Sequence, residues 1–223
     1  MERQVDVLRV FTELDGTGGN LLGVLLHTAD LDDAQCQQIA ASLAYSETVF
    51  VDDVATARCR IFTPEVQFPF AGHPMVGTAW LLDDIGETPT VLRPPAGTVA
   101  CWKAGSDWWV RASVAWCPPW RLIEWPTPAD VDTAEPPAQE KVHDYHWAWS
   151  DQGAGGVRAR AFASAAGIRE DEATGSAAIR LASSVQAPVT ITQGRGSRLL
   201  AAPFGAAEAA VGGAVVRDGQ RTV

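Results

Sequence analysis

The stretch from Phe70 through Gly72-His73-Pro74 to Leu82 constrains this chain more than any other. It reads as a helix that is apolar on nearly every face, which suits a helix enclosed in a core and not one lying on a surface. The rest of the chain therefore has to wrap it. Pro74 falls where a first-turn proline is tolerated, because its missing N–H would have no intrahelical partner there. The other first-turn N–H groups need partners and carry a partial positive charge, so a ligand carboxylate is a natural occupant. Further on, Thr174-Gly175-Ser176 opens a similar apolar run to Ala182. Two such helix starts predict one site built twice.

The first half can be read in order. Val5, Val7, Val10 and Phe11 predict a strand, and Asp15 to Asn20 a glycine-rich turn. No Gly-Lys-Ser/Thr follows that turn, so it is not a phosphate loop. Asp32 caps a predicted helix over 33–44 with Cys36, Ile39, Ala40 and Leu43 as its apolar stripe. Ser46 to Val51 reads as a strand in which Glu47 shares a face with Val49 and Val51. If that is the core face, Glu47 points inward and must be paired or have its pKa raised; if it is the outer face, Glu47 is solvated. Arg58 to Thr63 and Glu65 to Pro69 are short strands leading to the apolar helix, which Gly86 ends. Thr90 to Arg93 is another strand. Pro94-Pro95-Ala96-Gly97 then marks a boundary between domains at 1–93 and 97–223.

Eight of the nine tryptophans lie between Trp102 and Trp149. So many rings cannot all face one ligand, and core or subunit-interface anchoring is favoured over an aromatic substrate wall. A hairpin is expected about Gly105-Ser106, and a proline-rich acidic surface loop over Pro126 to Glu140. His143 and His146 lack a partner at metal spacing, so no metal is expected. Strands follow at Arg158 to Phe162, Val189 to Thr192, Arg198 to Ala201 and Val211 to Val216; Asp218-Gly219 is a hairpin signal, but too little chain follows it for a long return strand.

Several function classes are excluded. A net charge of -10 with no Lys/Arg stripe argues against nucleic acid. The four cysteines are widely spaced and read as small buried thiols, not as a zinc site. No apolar leader and no stretch of membrane-spanning length is present, so a cytoplasmic protein without membrane association is the expectation.

The halves repeat weakly. Arg60-Ile61-Phe62 precedes Gly72-His73 and its helix, and Arg160-Ala161-Phe162 precedes Gly175-Ser176 and its helix. Each half would be a curled sheet round its own helix, with the helix starts meeting in a cleft. Together, Gly19-Asn20, Ser46 to Phe50, Arg60 to Pro64, Phe70 to Gly77 and Glu170 to Ala178 resemble the PhzF family of phenazine biosynthesis. The resemblance implies an α+β, diaminopimelate epimerase-like fold of two pseudo-symmetric barrels, each round a central helix. It also implies a cofactor-independent isomerase, usually homodimeric, acting in biosynthesis on a small carboxylic acid. It assigns Glu47 as proton shuttle, His73 and Asp171 as catalytic polar partners near the substrate's ring substituents, and Ser46, Gly72, Gly175 and Ser176 as substrate holders. The chain departs from the family at Leu21 and Glu172, where proline is usual. It also has a shortened, tryptophan-rich second half.

A base held next to an activated carbon, with its pKa tuned toward working pH, is what proton transfer requires. Two other functions use the same residues. Ser176, His73 and Asp171 are the residue types of a hydrolase triad, though no G-x-S-x-G elbow surrounds Ser176, which could simply cap its helix. A non-catalytic small-acid-binding or interaction protein retaining the fold is the other.

Overall fold

The structure is a computed structural model that describes residues 2–136 and 141–223. β1 (Gln4–Thr12) and β2 (Gly18–Leu26) form an antiparallel pair. The helix α1 (Asp33–Leu43) crosses over to β3 (Glu47–Asp53), which lies parallel to β2. Asp32 accepts from the Gln35 N–H and completes a capping box, and Cys36, Ala40 and Leu43 face inward as expected. β4 (Arg58–Phe62) and β5 (Gln67–Phe68) follow antiparallel and deliver the chain to α2 (Gly72–Asp84). Every residue of α2 from Gly72 to Ala79 is buried, because strands of both halves surround it.

The second half opens with β6 (Val91–Leu92), β7 (Val99–Ala104) and β8 (Asp107–Ser113), the last two closing a hairpin about Gly105 as anticipated. β9 (Arg121–Glu124), α3 (Pro128–Thr133) and β10 (Asp144–Asp151) form a second parallel crossover. β11 (Gly156–Ala163) and β12 (Ile168–Asp171) lead to α4 (Gly175–Val185). β13 (Val189–Gln193), β14 (Ser197–Phe204) and β15 (Glu208–Thr222) complete the chain. The sheet path runs β5-β4-β3-β2-β1-β15-β14-β13-β11-β10-β9. β15 is the join: Glu208 to Gly213 pair with β8, and Ala214 to Thr222 pair with β1.

Two local expectations are corrected. Pro126 to Glu140 is not simply a loop. Thr127 and Asp130 form a capping box that starts α3, and Val131 is buried beneath it. The last part of that segment, 137–140, lies outside the described residues. Asp218-Gly219 does not turn the chain back. The pairing shifts there, from Val7 opposite Gly219 to Leu8 opposite Arg217, so the two residues form a bulge in a strand that continues. Gly219, at φ 149°, supplies the backbone freedom that the bulge needs.

The tryptophans are mainly core. Trp108, Trp120 and Trp147 are buried, and Trp102 stacks on Trp109, which lies flat against Gly212. The four cysteines are free and buried, and desolvation raises their thiol pKa values. Among the described residues no helix is long and apolar enough to cross a membrane.

The Arg-x-Phe repeat has a mechanical meaning. Arg60 on β4 binds the Thr28 and Leu31 carbonyls ahead of α1, together with Asp52 and Asp33. Arg160 on β11 binds the Val131, Asp132 and Ala134 carbonyls at the end of α3, together with Glu170. Each arginine braces the outer helix of its half. Removing Arg60 leaves Asp52, whose side chain is only 9% exposed, with Thr28 and the longer contact to Arg58 at 3.9 Å. Arg60→Ala is therefore expected to destabilise by about 1–3 kcal/mol. Urea unfolding with an unchanged slope checks it, and a change within error would remove the bracing role.

Candidate active site

The two central helices meet at their starts. A Cβ built on Gly72 would lie 2.9 Å from the Gly175 Cα, and one on Gly175 would lie 2.9 Å from the Gly72 Cα. Neither helix has a side-chain cap: Ala71 precedes α2 and Thr174 precedes α4. First-turn N–H groups and two partial positive charges thus converge on one spot. Ser176 is not the N-cap. It sits in the first turn of α4, buried, and its Oγ accepts from Trp120 Nε1 at 3.0 Å.

Glu47 opens β3 opposite Leu22, on the inward face with the buried Val49 and Val51. The structure thus decides for the inward orientation. Its side chain is 12% exposed and its Oε2 lies 3.5 Å from His73 Nδ1, whose side chain is 4% exposed. The pair is close, but the contact is not an ion pair. Burial pushes the Glu47 carboxyl up from 4.5 to about 7, partly offset by the Ser46 hydroxyl. Burial pulls His73 down to about 4, against the Asp171 charge and the Leu21 backbone. Near pH 7 a neutral imidazole therefore faces a carboxyl poised to gain or lose its proton. Glu47 Oε2 and His73 Nε2 have no hydrogen-bond partner among the described residues.

Asp171, at the end of β12, is firmly held. Its Oδ1 accepts from Asn20 Nδ2 at 2.7 Å and its Oδ2 from Thr174 Oγ1 at 2.6 Å. Burial, then the nearby Glu47 charge, raise its pKa to about 6. Asn20 also donates to the Ala173 carbonyl and accepts from Ser46 Oγ, so one amide ties both halves together at the site. The structure thus gathers Ser46, Glu47, Gly72, His73, Asp171 and Gly175 into one region. Ser176 joins them in the α4 first turn, but no Ser176–His73–Asp171 relay forms. Ser176 faces Trp120, His73 Nδ1 faces Glu47, and both Asp171 oxygens are taken. Among the described residues no group of three or more His, Cys, Asp or Glu could hold a metal ion.

Two contributors escape sequence reasoning. Gln193 is fully buried; its Nε2 donates to the Asp171 carbonyl and to Thr174 Oγ1, while its Oε1 accepts from the Thr174 N–H and Tyr145 OH. It is the polar member of the inward set Val189, Ile191 and Gln193, and that mismatch was its only signal. Trp120 gave none, lying outside any regular alternation. The Glu172 departure also has a local cause: its Oε1 accepts from Ser197 Oγ and the Arg195 N–H, and Ser197 Oγ in turn accepts from the Gly19 N–H.

Residues 8–115 match the model of the PhzC-PhzF family, phenazine biosynthesis-like protein. Over that span the chain is similar to the PhzF family. An uncharacterized isomerase of Pasteurella multocida is 42% identical over 88 residues, covering 37% of this chain and 30% of the relative. A trans-2,3-dihydro-3-hydroxyanthranilate isomerase of Pseudomonas fluorescens is 45% identical over 64 residues, covering 27% of this chain and 23% of that protein. The matched stretch thus spans no more than a third of these relatives' length. A phenazine biosynthesis PhzC/PhzF protein from Clostridium difficile has the same fold at a TM-score of 0.81 and 18% identity, covering 99% of both chains. A hydroxyproline epimerase from Agrobacterium vitis superposes at a TM-score of 0.67 and 12% identity, covering 100% of this chain and 92% of that one. The fold of this chain is therefore α+β and diaminopimelate epimerase-like.

Two stability outcomes follow. Gly72→Ala places a methyl against rigid backbone and is expected to cost about 1–3 kcal/mol; unchanged stability would mean that the helix starts are not in contact. The raised pKa of Glu47 disfavours its ionised form in the folded state, so folding loses stability as pH rises from about 4.5 to 7. The full penalty is on the order of 3 kcal/mol. Glu47→Gln removes it. Relative to the native chain, this variant should be more stable at pH 8 than at pH 5 in thermal melts. An equal difference at both pH values would show that Glu47 titrates normally.

Proposed function

We propose that this chain is a cofactor-independent isomerase that moves a proton between carbons of a small carboxylic acid, with Glu47 as the carrier. The observation that carries this is the Glu47 carboxyl, buried beside a neutral His73 and poised near pH 7. A general base works best when its pKa lies near the operating pH, since it must hold and release a proton with similar ease. The isomerase names of the sequence relatives support the same class.

The substrate carboxylate would lie against the first-turn N–H groups of α2 and α4, where no side-chain cap competes. Glu47 would take a proton from a carbon next to an unsaturated or carbonyl group. The electron pair of the broken C–H bond would spread into that system and stay stabilised by the helix starts. The protonated Glu47, its proton exchanging in part with solvent, would then release a proton to a second carbon, restoring the carboxylate. His73 Nε2 is available to a polar substituent of the substrate. Asp171 is committed to Asn20 and Thr174, so its part is to fix the α4 start and to supply charge. The small exposure of Glu47 and His73 means that the cleft has to open for entry.

Incubation with small unsaturated carboxylic acids in D2O, read by NMR, tests this reading. Deuterium is expected to enter a carbon-bound position, and Glu47→Gln is expected to slow that exchange by about 10²-fold or more. Exchange at the native rate in Glu47→Gln, or binding with no exchange in the native chain, would contradict it.

A further inference from the structure

The strand registers of the two halves carry one more correspondence. β2–α1–β3–β4 and β9–α3–β10–β11 run in the same order, each with a parallel pair joined over one helix. Phe62 lies opposite Thr48, and Phe162 opposite Asp144. Arg60 lies opposite Phe50, and Arg160 opposite His146. The residue before Thr48 is Glu47, and the residue before Asp144 is His143. By register, His143 is the counterpart of Glu47.

The faces agree. Glu47 leads Val49 and Val51 into the central core, and His143 leads Tyr145 and Trp147 into that same core. The alternate residues face the other way: Val142 packs with Phe162 and Ala134, and His146 stacks on Trp125. The His143 ring meets Trp120 edge-on at 5.2 Å, and Trp120 donates to Ser176 in the first turn of α4. On the other side, Glu47 meets His73 in the first turn of α2. Glu47 thus reaches the α2 start directly and His143 reaches the α4 start through Trp120, each from the same place in the same strand of its half.

We infer that His143 is a second ligand-contacting side chain of this site. With Trp120 it walls the α4 side of the cleft and hydrogen-bonds the bound acid from the side opposite Glu47. This rests on the proposed acid site. The His143 ring is half-buried and bonds to no other described residue. Burial lowers its pKa, against the Asp144 charge, so the ring is neutral at pH 7 and offers one donor and one acceptor. Such a ring suits an amino or hydroxyl substituent more than a second carboxylate. The ligand class is a small acid that carries an amino or hydroxyl substituent.

Anthranilate, with a carboxylate and an amino group on an unsaturated ring, is the probe. The chain has four histidines, so the ring signals can be assigned in NMR spectra by substitution. Saturating anthranilate is expected to shift the His143 signal. His143→Phe keeps the edge-on packing on Trp120 and loses the nitrogens; it should weaken anthranilate binding roughly five- to tenfold without lowering the melting temperature. His143→Asn should restore most of that affinity. A His143 signal that anthranilate leaves unmoved, or native affinity in His143→Phe, overturns the inference. Glu47-dependent exchange is read separately. A shifted ring without exchange keeps this inference and removes the proton-transfer reading, and exchange with an unmoved ring does the reverse.

Discussion

Two buried helices touch end to end at Gly72 and Gly175, and the polar chemistry of the molecule follows from that contact. Each start carries a partial positive charge and uncapped N–H groups, and bringing two together in an apolar interior is unfavourable unless negative charge lies nearby. Asp171 supplies it, held by Asn20 and Thr174 at the very place where the halves meet. A second carboxyl, Glu47, lies in the same field with little water to solvate it. Burial raises the pKa of both carboxyls, and the Glu47 charge raises that of Asp171 further. The property that suits Glu47 to proton transfer is thus a consequence of how the helices are packed.

The outer parts of the fold keep that contact in place. β15 belongs to both halves and sets their spacing. Asn20 spans the junction through side-chain bonds to Ser46, Asp171 and Ala173. Gln193 fixes the start of α4 from behind, and the Glu172–Ser197–Gly19 chain holds the loops of the two halves against each other. Arg60 and Arg160 do the coarser task of clamping α1 and α3 to their strands. A substitution in any of these can alter the site without touching a ligand.

Much of this was legible in the residues because local physics decided it. Apolar residues on every face of 72–82 demanded a surrounding core, and the Asp32 cap and the Gly105 turn are local signals. Glu47 was found as a carboxylate on an apolar alternation, but alternation alone could not tell which face was the core. That required the sheet. Gln193, Asn20 and Trp120 act through partners distant in the chain, so no short window reveals them. The segment around Pro126 hid a short helix because its proline and acidic residues read as loop while its cap came from two polar residues, Thr127 and Asp130. Asp218-Gly219 misled for the opposite reason: a strong turn signal was overridden by pairing with β1.

The ionisation of Glu47 is the most direct point of test. The carboxyl carbon of Glu47, labelled with 13C and assigned through Glu47→Gln, can be titrated by NMR. A midpoint near 7 is predicted by its burial beside His73 and Asp171. A midpoint near the ordinary 4.5 would mean a solvated carboxylate and would contradict a buried proton carrier at the helix junction.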